Sequence, residues 1–508
     1  MSSLKRSTVN MISSAVGYIL PMAVNIATTP LLLKGLGETA YGLQSLVNVI
    51  IGYMAFMDMG LDIPIIKILA ESKAKNDFKS INNLLNTTFQ LYSIIALIGM
   101  IVIILLSQIF VIYIFPVPIN MTHSAIIVFQ LAGIGFLGSI FLSWGRAVAF
   151  GMQRFELSYS VSVGTSIAGT LIGLAAVYTG WGIIGYVFVR VIFTLISGPI
   201  YLYLTTRLLP EFHFHFGLDR STLLAIKSYI GYGILNRATS SLFSRIDQTL
   251  IGIWVSIAAA GIYAIPFMVV SSLGSMIAFM LGFIFPMASE LFSLGKLDQF
   301  RGIYIRASRF LVAISTMAFI PLLILGDIFL TLWVPSIASR GIGVFKLLIL
   351  ASYFNTICAS ITNNVVIGMG KIRQFTIYAN IRGIVLGILC ILFIYLFGLI
   401  GAGWALLLTV SVDIIYLFVF LSRYIRLSPL LFIKQAYAKP ILLGGIIAVL
   451  GLFLHPFIHS WLSLVFGIIF LELSYIIVGF RFGIFGETEK RAIIGLLETV
   501  NIKTKLIK

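Results

Sequence analysis

Acidic residues are scarce in this 508-residue chain, with 17 Asp and Glu against 34 Lys and Arg. The formal net charge of +17 therefore reflects missing acids rather than a dense basic face, which argues against nucleic-acid binding. Charge of either sign is thin, at 10% of residues where a soluble domain carries about 25%. That deficit, beside an apolar share of 60%, excludes an ordinary soluble fold and a disordered chain. Cysteine is limited to Cys358 and Cys390, both inside apolar runs, so a disulfide-stapled secreted domain is excluded too. Walker, HExxH and Gly-x-Ser-x-Gly motifs are absent, and no cofactor or catalytic residue is expected. His213-x-His215, near Glu211, lacks a third good ligand and is not read as a metal site.

What the chain does have is long apolar runs. A bilayer crossing needs about 20 mostly apolar residues. About fourteen segments reach that length, the first at 11–33 and the last at 460–480. The expectation is an all-α integral membrane protein without a separate soluble domain. The first run is too long for a signal-peptide core and passes through Pro21 and Pro30 to Lys34 without a cleavage-like site, so it is read as a span. Twenty-seven Lys and Arg fall in loops on the N-terminal side of the membrane and three on the other. The positive-inside rule then puts both termini in the cytoplasm. Trp181, Trp254, Trp333 and Trp461 all fall at predicted outer span ends, where an aromatic belt belongs.

Spans 1–6 and 7–12 read as copies. Gly151-Met152-Gln153-Arg154-Phe155 follows span 4, and Gly368-Met369 with Lys371, Arg373, Gln374 and Phe375 follows span 10, 217 positions later. Gly182-Ile183-Ile184-Gly185 and Gly398-Leu399-Ile400-Gly401 are 216 apart, Glu71 and Glu290 219, Tyr41 and Tyr263 222. Six spans per copy is an even number, so the repeat is parallel, about an axis along the membrane normal. The expected domains are an N-terminal six-helix lobe at 1–207, a cytoplasmic connector at 208–225 and a C-terminal six-helix lobe at 226–424. Helices 13 and 14 follow at 425–482, then a cytoplasmic tail at 483–508.

Four arginines lie inside spans: Arg190, Arg237, Arg245 and Arg382. An ionised side chain at the bilayer centre costs about 2.5–3.5 kcal/mol on insertion scales, so these should face a wet, internal or paired environment. Two readings are open. The arginines line a cavity for an anionic ligand such as phosphate, or they pair with aspartates to tie helices together. Asp247, Asp327 and Asp413 are the matching candidates, as carriers of a coupling H⁺ or Na⁺ or as structural partners of arginine. Arg237 and Arg245 share a helix face at eight-residue spacing, whereas Asp247 points elsewhere. Asn48, Asn355 and other span-embedded amides line the same cavity or bond between helices. Pro21, Pro30, Pro266, Pro286 and Pro321 are expected to break or kink spans.

Ala40-Tyr41-Gly42, Gly151-Met152-Gln153-Arg154-Phe155, Ser244-Arg245-Ile246-Asp247-Gln248, Gly261-Ile262-Tyr263 and Pro286-Met287-Ala288-Ser289-Glu290 occur in an order and spacing that spans the chain. In these the chain resembles the polysaccharide (Wzx-type, O-antigen and repeat-unit) flippases of the multidrug/oligosaccharidyl-lipid/polysaccharide exporter superfamily. The resemblance implies a plasma-membrane flippase that moves an undecaprenyl-pyrophosphate-linked oligosaccharide from the cytoplasmic to the outer leaflet by alternating access. Its implied partners are the lipid-linked substrate and the bilayer, with H⁺ or Na⁺ and polysaccharide polymerase machinery as candidates. The alternatives are an ion-coupled multidrug or metabolite exporter of the same fold and a membrane-embedded glycan polymerase.

Overall fold

The computed structural model describes residues 3–58, 60–209, 212–280 and 284–484. Most of the tail expected at 483–508 lies outside the described residues. All regular structure among them is helical, as backbone must be when no water is at hand to satisfy it. Among the described residues eleven helical runs are long and apolar enough to cross a membrane, and the chain is a multi-pass membrane protein. Two of these runs, Phe155–Leu208 and Ile372–Ile425, are 54 residues long. At 1.5 Å per residue that is about 80 Å, against a hydrocarbon core of about 30 Å. Each folds back on itself at a glycine with positive φ, Gly182 in the first and Gly398 in the second. The expected count of about fourteen differs from eleven partly for this reason. In addition, the segment expected at 226–254 is divided at Arg245 into a polar helix and a nine-residue one.

The chain forms two compact units. The first comprises residues 1–265 with 394–399. It holds α1 (Ser3–Leu36), α2 (Glu38–Met54), α3 (Asp62–Ala74), α4 (Phe78–Ile109), α5 (Thr122–Gly151), α6 (Phe155–Ala176), α7 (Gly182–Leu208), α8 (Arg220–Ser244), α9 (Ile246–Trp254) and the first turns of α10 (Ile257–Met280). Its core packs Leu84, Tyr92, Phe136 and Trp144, and the Trp144 indole donates to Thr88 Oγ1 at 3.2 Å. Helices α2 and α10 cross at Gly42 and Gly261. A Cβ on Gly42 would lie 1.9 Å from the Ile257 carbonyl oxygen, so this approach requires glycine.

The second unit comprises 266–393 and 400–508. It holds the rest of α10, α11 (Ile284–Ser293), α12 (Leu297–Trp333), α13 (Pro335–Gly368), most of α14 (Ile372–Phe420), α15 (Pro429–Phe432), α16 (Ala438–Leu454) and α17 (Trp461–Arg481). Leu325 of α12, Leu443 and Ile447 of α16, and Leu471 and Tyr475 of α17 share one core. Pro21, Pro30, Pro266 and Pro321 sit inside continuous helices, so of the two expected outcomes, a break or a kink, the break does not occur.

The repeat is visible in the backbone. Asn76 and Gly295, 219 apart, each take positive φ at the turn before a long helix. Their amides bond back to Lys73 and Phe292, and the next amides, of Asp77 and Lys296, bond to Ser72 and Leu291. Gln153 and Gly370, 217 apart, do the same after α5 and α13. There the pairs are Gln153 to Phe150 with Arg154 to Ala149, and Gly370 to Ile367 with Lys371 to Val366. Gly182 and Gly398, 216 apart, adopt φ 56 and 58 with ψ −147 and −133.

Candidate functional site

Arg190 lies on α7 in the first unit and opens onto a cavity of about 190 Å³. Gln44 and Asn48 of α2, Ser139 of α5 and Thr194 of α7 supply the other polar groups of its wall. Gln44/Asn48 and Arg190/Thr194 are each four residues apart, so each pair shares one helix face. The hydroxyls of Ser139 and Thr194 donate to carbonyls of their own helices, at 2.7 and 2.9 Å, which turns their lone pairs outward. The guanidinium stands 5.6 Å from the Tyr186 ring centre, within electrostatic reach of Tyr41. No carboxylate among the described residues pairs with it. Sequence reasoning named Arg190 and Asn48 but missed Gln44, Ser139 and Thr194. The four-residue spacing was the available signal.

Arg382 is differently placed. Its Nε donates to Oδ1 of the fully buried Asp413 at 2.9 Å. The Tyr378 hydroxyl donates to the same oxygen at 2.7 Å, and Asn355 Nδ2 to Oδ2 at 2.7 Å. The fold-back of α14 at Gly398 makes this possible, since Arg382 and Tyr378 precede it and Asp413 follows. The rings of Tyr378 and Tyr416 stack across the same fold-back at 3.8 Å. Two of the sequence candidates thus neutralise each other inside the second unit, with a third, Asn355, completing the set.

Asp247 is buried in the first unit, accepting from the Tyr263 hydroxyl and from the Gln248 amide. Arg245, two residues earlier, is exposed at the break between α8 and α9. Arg237 falls in α8, and its side chain lies outside what the structure describes. Asp327, near the end of α12, takes His455 Nε2 at 3.1 Å and Lys346 Nζ at 3.7 Å on one oxygen. His455 lies 128 residues away in sequence, with no spacing that could have announced the contact. Three of the short motifs also meet. Gly42 packs on Gly261, and Tyr263 bonds Asp247.

His213 and His215 engage the protein through their backbone. Asn82, Asn86 and Gln90, on one face of α4, each pair with the extended connector at 213–217. The sequence reading passed over this amide ladder, although its spacing of four was legible.

Comparison with known proteins places this arrangement. A family model described as "Polysaccharide biosynthesis protein" matches residues 4–292. A protein of Haloferax volcanii named "Probable flippase AglR" is 24% identical over 288 residues, covering 56% of this chain. The chain spans 58% of that relative's length. A solved structure of the lipid II flippase MurJ, in an inward closed conformation, superposes with a TM-score of 0.74 at 12% identity. That match covers 94% of this chain and 100% of the other. An inward-facing multidrug resistance MATE family transporter of the MOP superfamily gives 0.63 at 13% identity, covering 80% and 97%. At such identities the likeness to both structures is one of fold.

Proposed function

The chain belongs to the polysaccharide biosynthesis protein family, and from that premise we propose that it is a flippase for a lipid-linked oligosaccharide carried on a pyrophosphate. On this reading it moves the repeat unit from the cytoplasmic to the outer leaflet, with both termini cytoplasmic. The two repeat halves, 1–207 and 226–424, act as the lobes that alternate access. One observation carries the proposal. Arg190 is held inside a bundle of membrane-spanning helices, facing a largely apolar cavity that four other polar side chains help to line, and without a carboxylate partner among the described residues. A cationic fork left open in that setting suits a phosphoryl group, which it can grip through two parallel hydrogen bonds. Arg382 differs in that its Nε is already engaged by Asp413.

The test is the sidedness of lipid-linked oligosaccharide in cells depleted of the protein, probed by an impermeant glycosidase. Units that accumulate but stay protected until the membrane is opened support the flippase. Units fully accessible from outside overturn it. Arg190→Ala at normal membrane levels is expected to cut export about 10- to 100-fold, the equivalent of one charge-assisted hydrogen-bonded contact of about 1.5–3 kcal/mol. Arg190→Lys keeps the charge without the fork and should fall between.

A further inference from the structure

The connector between α7 and α8 is neither helix nor strand, yet it is held in extended form along α4. The Asn82 carboxamide accepts from the His213 amide at 3.0 Å, and Asn86 pairs with the carbonyl of His213 and the amide of His215, both at 2.9 Å. Gln90 pairs with Gly217 in both directions, and Thr87 accepts from the Asp219 amide. Every odd-numbered residue from 213 to 219 therefore turns its backbone to α4. In an extended chain the intervening residues turn their backbone away and put their side chains on the opposite face from those of His213 and His215. Those residues are Phe214, Phe216 and Leu218, and all three are exposed, Phe216 by 86%. Phe214 meets Phe89 edge to face, with ring centres 5.7 Å apart, and Phe216 meets Phe214 in the same way at 5.0 Å.

The geometry points to this strip as a membrane-interface anchor that seats its aromatic side chains at the acyl boundary of an anionic lipid leaflet. Three observations choose that occupant. The helical run that carries the ladder, Phe78–Ile114, is 37 residues long and so exceeds the hydrocarbon core. Its polar end, which holds Asn82, Asn86 and Gln90, is the part that overhangs, which puts the connector at interfacial depth. The outward backbone groups of Phe214 and Phe216 would each cost several kcal/mol in hydrocarbon, so the backbone stays among headgroups and water while the rings reach inward. Lys79, Arg207, Arg220 and Lys227, at the ends of α4, α7 and α8 that the connector joins or runs beside, are all exposed, against one exposed acid there among the described residues, Asp77, which accepts from the Ser80 amide. The nearby carboxylate of Asp219 is engaged by Ser221 and Thr222. Cations around an apolar strip complement a leaflet rich in acidic lipids.

The test places a nitroxide on Phe216→Cys in the whole 508-residue chain, with the two buried cysteines replaced (Cys358→Ala, Cys390→Ala). The protein is reconstituted in vesicles of phosphatidylethanolamine and phosphatidylglycerol. The expected result is collision with oxygen well above collision with a water-soluble nickel chelate, at a depth just below the phosphates. His215→Cys, on the other face, should show the reverse. Replacing phosphatidylglycerol by phosphatidylcholine should lower the 216 oxygen-to-nickel ratio at least twofold. A 216 label as open to nickel as the 215 label overturns the proposal. So does a label shielded from both reagents, which would mean that a second copy or another protein covers the strip. A ratio indifferent to lipid charge overturns the anionic part.

Discussion

The Arg382–Asp413 contact is held by two further donors, so its halves are unequal. Asp413→Ala strips the partner from a largely buried guanidinium and from Tyr378 and Asn355 at once. The expected loss is about 3–5 kcal/mol, read as a lower midpoint of thermal unfolding in detergent. Asp413→Asn keeps two acceptor-donor contacts and should lose less. A double change to apolar residues, Arg382→Met with Asp413→Leu, should recover much of the single-mutant loss, because no charge is then left buried alone. At the connector, Asp219 caps α8, accepting from the Ser221 hydroxyl and from the Thr222 amide and hydroxyl. The Ser221 hydrogen bond, then those from Thr222, hold its carboxyl below the usual carboxylate range. A depressed folded value means the ionised form supports the fold. That support is complete above the ordinary value near 4 and fades as pH falls through the folded value. Amide exchange over the first turn of α8, corrected for intrinsic rate, should therefore speed up on acidification below about pH 4. Asp219→Ala should remove that step and cost about 1 kcal/mol of cap stability at neutral pH.

Helix α2 carries two glycines with opposite roles. Gly42 faces the Ile257 carbonyl at a distance no Cβ can share, whereas Gly52 has open space around it. Gly42→Ala should destabilise by about 1–3 kcal/mol through overpacking. Gly52→Ala should stabilise by up to about 1 kcal/mol through helix propensity. Thermal midpoints of the two variants, side by side, check both signs. This pair also marks what was legible at the level of elements. Helix type and membrane character could be read from apolar runs alone, and Ala40-Tyr41-Gly42 and Gly261-Ile262-Tyr263 were visible as motifs. That these two motifs touch, and that Tyr263 caps Asp247, was not visible, because helix crossings are set by side-chain fit between distant segments. The same holds for Arg382 and Asp413. Both residues stood out as charges in apolar runs, but only the fold-back at Gly398 brings them together. The four-residue spacings of Asn82, Asn86 and Gln90 and of Arg190 and Thr194 were local, and were legible for that reason.

At the scale of the whole chain, the repeat survives where side chains do not. The two halves share few residues, yet three turns recur at offsets of 216 to 219, with matching backbone hydrogen bonds at two of them. Each of these turns sets where a long helix starts or reverses, which constrains its backbone in both halves. The occupant of a turn is free only if its backbone allows it. Gln153 and Gly370 share a left-handed turn that a polar residue can adopt at modest cost, and the two copies differ there. Gly182 and Gly398 both pair φ near 57° with strongly negative ψ, a region open essentially to glycine alone, and both copies keep glycine. The repeat therefore predicts an asymmetry between turns. Gly370→Asn should be nearly neutral, because asparagine tolerates the left-handed region. Gly182→Ala and Gly398→Ala should each cost about 1–3 kcal/mol, although nothing but Val255, at 4.0 Å, stands near either added Cβ. The loss would come from backbone strain alone, so Gly398→Asn should be no better than Gly398→Ala. Thermal midpoints of the four variants decide it. If Gly182→Ala and Gly398→Ala prove as mild as Gly370→Asn, the glycines are not what reverses α6 into α7 and folds α14 back.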